Sequence, residues 1–187
     1  PSLPFGGKVL NSTDALALQD VPTALVVVGG GYIGLEIGTA FAKLGSNVTI
    51  VEAGENILPQ YDTDLTKPVT ASLKRLGMTA LTATTAKSIG KMGLIVTTPD
   101  GSEQEIDAER ILVAVGRKPR SDGSGISELG LTQDGPFLSI NDRCQTPMRG
   151  VYAIGDVTGE TMLAHRAMAH GEMVAEIVAG KPQCTMV

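Results

Sequence analysis

The chain has 187 residues, is 42% hydrophobic and 19% charged, and carries a formal net charge of −5. That composition predicts a soluble globular protein with one full core and part of another. Mild acidity without a Lys/Arg cluster argues against a nucleic-acid partner. No apolar run approaches a membrane span, and the first residues do not read as a signal peptide, so neither a membrane nor a secretory route is expected.

Two cysteines, Cys144 and Cys184, stand far apart with no C-x-x-C arrangement. A reducing, cytoplasmic compartment is the simplest expectation. A chain that opens at Pro1 without methionine is expected to be a processed product or a cut piece of a longer protein.

Residues 1–20 carry one short helical signal, Ser12-Thr13-Asp14-Ala15-Leu16-Ala17-Leu18, with Ser12 or Thr13 as its cap. After Val21-Pro22 comes the most informative stretch, Leu25-Val26-Val27-Val28-Gly29-Gly30-Gly31-Tyr32-Ile33-Gly34-Leu35-Glu36. An apolar β-branched run leads into Gly29, Gly31 and Gly34 at G-x-G-x-x-G spacing, and a helical pattern follows. In a dinucleotide fingerprint the first glycine makes a tight turn. The second lets backbone approach a pyrophosphate, and the third lets the helix pack on the strand. The helix start then presents N–H groups and a positive dipole end to the phosphates.

Ile33, Ile37, Ala40, Phe41 and Leu44 share one face of this helix, which ends at Gly45. A second strand, Val48-Thr49-Ile50-Val51, runs into Glu52, 18 residues past Gly34. That offset suits an acid that accepts hydrogen bonds from a ribose, and its charge repels a 2′-phosphate. The expected ligand is therefore NAD(H) in preference to NADP(H). The competing reading of the glycines is a structural turn with no ligand.

Residues 56–62 read as a loop, followed by a helix from about Asp64 to Leu76 capped by Asp62 or Thr63. Met78 to Thr82 reads as a strand. Ala86 to Gly90, Gly93 to Thr98 and Glu103 to Ile106 read as an antiparallel meander, broken by glycines and by Pro99-Asp100-Gly101. Arg110 to Val115 is a buried strand ending at Gly116, whose backbone is placed to pass near a dinucleotide. Arg117 is either a phosphate partner or an exposed structural arginine.

The composition shifts to Pro, Arg, Ser, Asp and Gly over residues 118–133, which reads as a crossing between domains. Phe137 to Ile140 and Val151 to Ile154 read as short strands, the second leading into Gly155-Asp156. There a glycine admits a ligand and a carboxylate accepts its hydroxyls, unless the pair is simply a turn. A helix from about Met162 to Ala179 closes the pattern, apolar at Met162, Ala169, Met173, Val174 and Ile177.

With these residues in hand the chain resembles the pyridine nucleotide–disulfide oxidoreductases, and within them the members that oxidise dihydrolipoamide. The resemblance rests on Val28 to Glu36, Ile57-Leu58-Pro59, Val113-Ala114-Val115-Gly116-Arg117-Lys118-Pro119 and Tyr152-Ala153-Ile154-Gly155-Asp156. Most specific is Met162-Leu163-Ala164-His165-Arg166-Ala167, followed by Gly171-Glu172. It implies an α/β fold, with a Rossmann-like NAD-binding domain that includes the meander, plus part of an FAD-binding domain. Residues 1–20 would end a first FAD segment, 21–118 would form the NAD domain, and 119–187 would belong to the returning FAD segment.

The resemblance also implies site roles. Gly29, Gly30, Gly31, Tyr32, Ile33, Gly34, Leu35, Glu36 and Glu52 would bind NAD, with Tyr32 beside the nicotinamide and Glu36 near the flavin. Ala86 and Gly116 would touch the dinucleotide through backbone. Asp156 would hold a polar part of FAD, and Met162, Leu163, Ala164 and His165 would line the flavin. A histidine at position 165 is a residue type suited to general-base work, but the resemblance gives it a flavin contact through its backbone.

The family's reactive C-x-x-x-x-C pair and its His-Glu base pair have no counterparts here. No catalytic residue is therefore assigned, and the chain alone is expected to bind NAD(H) without turnover. The parent would be a homodimer that oxidises dihydrolipoamide on lipoyl domains of 2-oxo acid dehydrogenase complexes through a disulfide, FAD and NAD. The alternatives are another NADH-dependent flavoenzyme of the same fold, such as a peroxide or mercuric reductase, and a non-enzymatic nucleotide-binding module.

Overall fold

The computed structural model describes residues 3–121, 125–131, 133–159 and 161–181, and the chain divides after Gly116 into two compact units. Cys184 lies outside the described residues. In the first unit β1 (Val9–Leu10) leads into α1 (Ser12–Leu16). Its cap is Asn11, not the expected Ser12 or Thr13. The Asn11 side chain accepts from the Asp14 N–H at 2.9 Å, while Asp14 reaches back to the Asn11 N–H at 3.3 Å. This reciprocal box starts the helix one residue earlier than a hydroxyl cap does.

The chain continues through β2 (Ala24–Val28), α2 (Tyr32–Lys43), β3 (Asn47–Val51), α3 (Thr63–Arg75) and β4 (Thr79–Leu81). A meander of β5 (Thr85–Ile89), β6 (Gly93–Thr97) and β7 (Glu103–Asp107) precedes β8 (Arg110–Val113). The main sheet is parallel throughout, in the order β1-β8-β2-β3-β4, and the meander forms a separate antiparallel sheet, as expected. From β2 the chain winds through α2 to β3 on one side, while β8 returns on the other. The crevice at the carboxyl ends of β2 and β8 is thus a topological switch point.

Alternation along β2 explains why this strand sits at the centre. Leu25 and Val27 face a core with α1, α2, Ile50, Leu73, Met78 and Leu112, whereas Val26 and Val28 face Val51, Leu94, Val96 and Ile111 beneath the meander. A strand covered on both faces needs an unbroken apolar run. Each such side chain contributes roughly 1.5–3 kcal/mol when fully buried.

In the second unit β9 (Gln133–Asp134) pairs with β10 (Phe137–Leu138). The expected strand over residues 151–154 is not one: Tyr152 makes only an isolated bridge to Gln145, and a 3-10 turn over Gly155–Thr158 follows. The tight return between Cys144 and Ala153 supplies too few partners for a ladder. The unit closes with α4 (Ala164–Val178), whose buried residues are His170 and Met173; Ala169, expected on that face, is exposed.

Candidate functional site: the first strand–helix turn and Glu52

The three fingerprint glycines differ in what requires them. Gly29 has φ +108°, and a Cβ there would stand 2.5 Å from the Ala114 carbonyl oxygen at the end of β8. A Cβ at Gly34 would stand 2.2 Å from the Gly29 carbonyl oxygen and 3.0 Å from Val27. Both glycines are demanded by the protein's own packing. Gly31 is different: its φ is −77°, open to any residue, and a Cβ there would meet nothing within 4 Å. Its bareness leaves space in front of the helix start, where Gly31 caps α2 without a side chain and the first turn carries no acid. A helix start left open in this way is suited to cradle an anion.

Glu52 stands at the end of β3 and is held by two backbone donors. Its Oε2 accepts from the Gly30 N–H at 2.6 Å and its Oε1 from the Gly54 N–H at 2.7 Å. The surrounding loops are tied to the same point. Thr84 N donates to the Glu52 carbonyl at 2.9 Å, Ala83 N to the Gly54 carbonyl at 2.7 Å, and Leu58 N to the Gly30 carbonyl at 2.9 Å. Leu58 and Ala83 adopt φ of 51° and 47° to make these contacts. Left-handed backbone at non-glycine residues is costly and persists where surroundings over-determine it. Each Glu52 oxygen keeps acceptor capacity beyond its backbone bond, which suits a pair of ribose hydroxyls.

The expected site residues fall into four sets. Gly29 to Gly31, Gly34 and Glu52 converge on the crevice, with Tyr32 opening α2 and an exposed Glu36 one turn further on. Leu35 is buried in the core and Ile33 packs against it, so their side chains serve the fold. Ala86, in β5 of the meander, is buried in the core with Val26, Val28, Leu94 and Val96, and Gly116, with φ +146°, ends the first unit. Asp156 and residues 162–165 lie in the second unit: Asp156 in the 3-10 turn, Leu163 capping α4, and Ala164 and His165 exposed. Arg117 Nε stands 3.5 Å from an Asp156 carboxylate oxygen.

Sequence reasoning missed Gly54, Leu58 and Ala83 around Glu52. A glycine two places after the acid was the available signal for Gly54; nothing in the residue types of Leu58 and Ala83 announces a left-handed backbone. Cys144 is a buried thiol, and burial pushes its pKa up against the opposing charge of Arg166. Such a thiol is poorly suited to redox exchange. Among the described residues no cluster of three or more His, Cys, Asp or Glu side chains forms a metal site, and no helix is long and apolar enough to cross a membrane.

Residues 2–171 match the family model described as pyridine nucleotide-disulphide oxidoreductase. Over 97% of its length the chain is 55% identical to dihydrolipoyl dehydrogenase of Pseudomonas aeruginosa, covering 39% of that protein. Against dihydrolipoyl dehydrogenase of Halobacterium salinarum the identity is 43%, over 97% of this chain and 40% of the relative.

Among solved structures, LpdA from Mycobacterium tuberculosis superposes with a TM-score of 0.83 at 28% identity, over 98% of this chain and 40% of that one. The flavoprotein disulfide reductase RclA from Escherichia coli gives a TM-score of 0.83 at 26% identity, over 99% of this chain and 43% of that one. The chain therefore spans about two-fifths of the length of these relatives. Proteins of this family use FAD together with NAD(H). The matched span, the glycine geometry and the acid at the end of β3 agree, and the chain belongs to the pyridine nucleotide-disulphide oxidoreductases.

Proposed function

We propose that this chain is the NAD-binding part, with a portion of the flavin-binding part, of a dihydrolipoyl dehydrogenase. The observation that carries the nucleotide assignment is the Glu52 carboxylate held between the Gly30 and Gly54 N–H groups, beside the open space at Gly31. Gly29 to Glu36 receive the pyrophosphate and nicotinamide half of NAD, with Tyr32 at the nicotinamide end. Glu52 orients the adenosine ribose and disfavours a 2′-phosphate, while Ala86 and Gly116 contribute backbone. In the second unit Asp156 accepts hydroxyls of FAD, and Met162 to His165 line the flavin.

The domain assignment follows. Residues 1–20 end a first FAD segment, 21–118 form the NAD domain, and 119–187 return to the FAD domain. FAD, when bound, supplies two-electron carriage between a dithiol and nicotinamide. In the overall reaction dihydrolipoamide loses two hydrogens to become a disulfide, and NAD⁺ becomes NADH with release of a proton. This chain's residues bind and orient; Cys144 and Cys184 do not have the spacing of the family's reactive pair. The polypeptide alone accordingly binds NAD(H) without turnover. The parent works as a cytoplasmic homodimer on the lipoyl domains of 2-oxo acid dehydrogenase complexes.

The 55% identity to a dihydrolipoyl dehydrogenase supports this reading over another disulfide reductase. The test compares, in the full-length protein, NAD⁺ reduction by dihydrolipoamide with the oxidation of NADH or NADPH by glutathione disulfide or by a mercuric salt. Turnover with dihydrolipoamide and NAD⁺ is expected. Preferential use of either other substrate contradicts the assignment.

A further inference from the structure

We propose that Arg166 and His170 on α4 form a two-point clamp that sets the position of Asp156, acting as positioning residues for flavin binding. The Gly155 N–H donates to His170 Nδ1 at 3.3 Å, and this imidazole is only 1% exposed. Four residues earlier, Arg166 Nη1 donates to the Gly159 carbonyl at 2.6 Å. Positions four apart lie on one helix face, so adjacent turns of α4 grip the two ends of the 155–159 turn.

The fit between the grips is close. A Cβ at Gly155 would come within 3.1 Å of the Ala167 methyl, and one at Gly159 within 3.0 Å of the Phe137 ring. Both glycines have positive φ, +72° and +79°. Thr158 Oγ1 closes the turn internally on the Gly155 carbonyl at 2.8 Å. Asp156 sits between the fixed ends with its carboxylate toward Arg117.

His170 accepts at Nδ1, which requires that nitrogen to carry no proton. Removing that acceptor strands a buried N–H, the costly way to lose a hydrogen bond. The turn then shifts, and Asp156 shifts with it. The requirement is for an acceptor at this point, not for imidazole as such: asparagine Oδ1 can stand where Nδ1 does, and leucine offers nothing.

This role rests on the flavoprotein reading above, and two readouts separate them. The first is hydrogen exchange at the Gly155 amide in the purified protein without flavin. His170→Leu is expected to speed it by about tenfold or more, as for a lost buried hydrogen bond, while His170→Asn restores protection.

The second is FAD dissociation from the flavin-loaded protein for His170→Leu, His170→Asn, Arg166→Met and the Leu/Met double variant. The Leu and Met variants are each expected to release FAD about tenfold faster, with the double variant well short of the product because both grips hold one turn. His170→Asn is expected to retain FAD.

Unchanged Gly155 exchange in His170→Leu overturns the clamp. Faster exchange with unchanged FAD release, or asparagine failing as completely as leucine, overturns its role in flavin binding. A full-length wild-type protein that takes up no FAD overturns the flavoprotein reading itself, whatever the Gly155 amide does.

Discussion

At the scale of single residues, identical glycines in one motif have different causes. Gly29→Ala and Gly34→Ala put a methyl 2.5 Å and 2.2 Å from backbone oxygen, so the backbone must move. Each is expected to lower the unfolding free energy by about 2–3 kcal/mol or more, as for an overpacked site. Gly31→Ala meets open space and is expected to cost no more than about 1 kcal/mol, from the N-cap preference for glycine over alanine. It is nevertheless expected to weaken NADH binding at least about tenfold, equivalent to 1.4 kcal/mol. Urea unfolding and NADH titration of the three variants separate the cases; Gly31→Ala binding like wild type removes the cradle.

The fingerprint was legible because chemistry fixes glycine spacing. That the first and third glycines serve the turn and the packing was legible in the spacing; the approach of the Ala114 carbonyl to Gly29, 85 positions along the chain, was not. The Arg166–His170 pair was readable in principle from its one-turn spacing, but the turn it grips has no sequence mark beyond two glycines.

At the scale of elements, the meander, the long helices α2, α3 and α4 and the parallel strands followed from period and punctuation. Failures came where a side chain outcompeted a pattern. Asn11 caps α1 because its amide oxygen reaches the Asp14 N–H, and residues 151–154 look like a strand without finding one to pair with.

One junction between elements is pH-sensitive. Ahead of β8, Glu109 accepts from both the N–H and the hydroxyl of Thr23 at the start of β2, at 2.9 and 2.7 Å. These two bonds hold its pKa below the ordinary glutamate value of 4.5. The folded chain thus binds this proton less readily than the unfolded chain. The contribution is present above the ordinary glutamate range and is lost as pH falls through the depressed titration. The difference in thermal midpoint between wild type and Glu109→Gln is expected to be largest near neutrality and to shrink as pH falls below 4.5. A difference that grows on acidification contradicts the pairing.

At the scale of the whole molecule, strand order decides where chemistry is placed. Inserting β8 between β1 and β2 turns the carboxyl end of β2 into a switch point, and the meander covers the face that α1, α2 and α3 leave open. Class and crevice were legible from alternation of strands and helices. The shift in composition over residues 118–133 reads as a crossing between domains, and the two compact units divide after Gly116.

Several large apolar side chains face outward, with Leu16 75%, Met168 71%, Val178 70% and Leu65 67% exposed. Where such side chains adjoin, the exposed apolar area favours association. The chain by itself is expected to bind an apolar dye and to self-associate with concentration in sedimentation; a monodisperse monomer that leaves the dye dark contradicts this.

Glu52, fixed by two backbone N–H groups, is what we propose makes the first strand–helix turn an NAD site. The most direct test of that role is a paired titration of wild type and Glu52→Arg with NADH and NADPH. Wild type is expected to bind NADH at least about tenfold tighter, with Glu52→Arg losing or reversing that preference. Wild type binding NADPH as well as NADH, or Glu52→Arg leaving the ratio unchanged, contradicts the account.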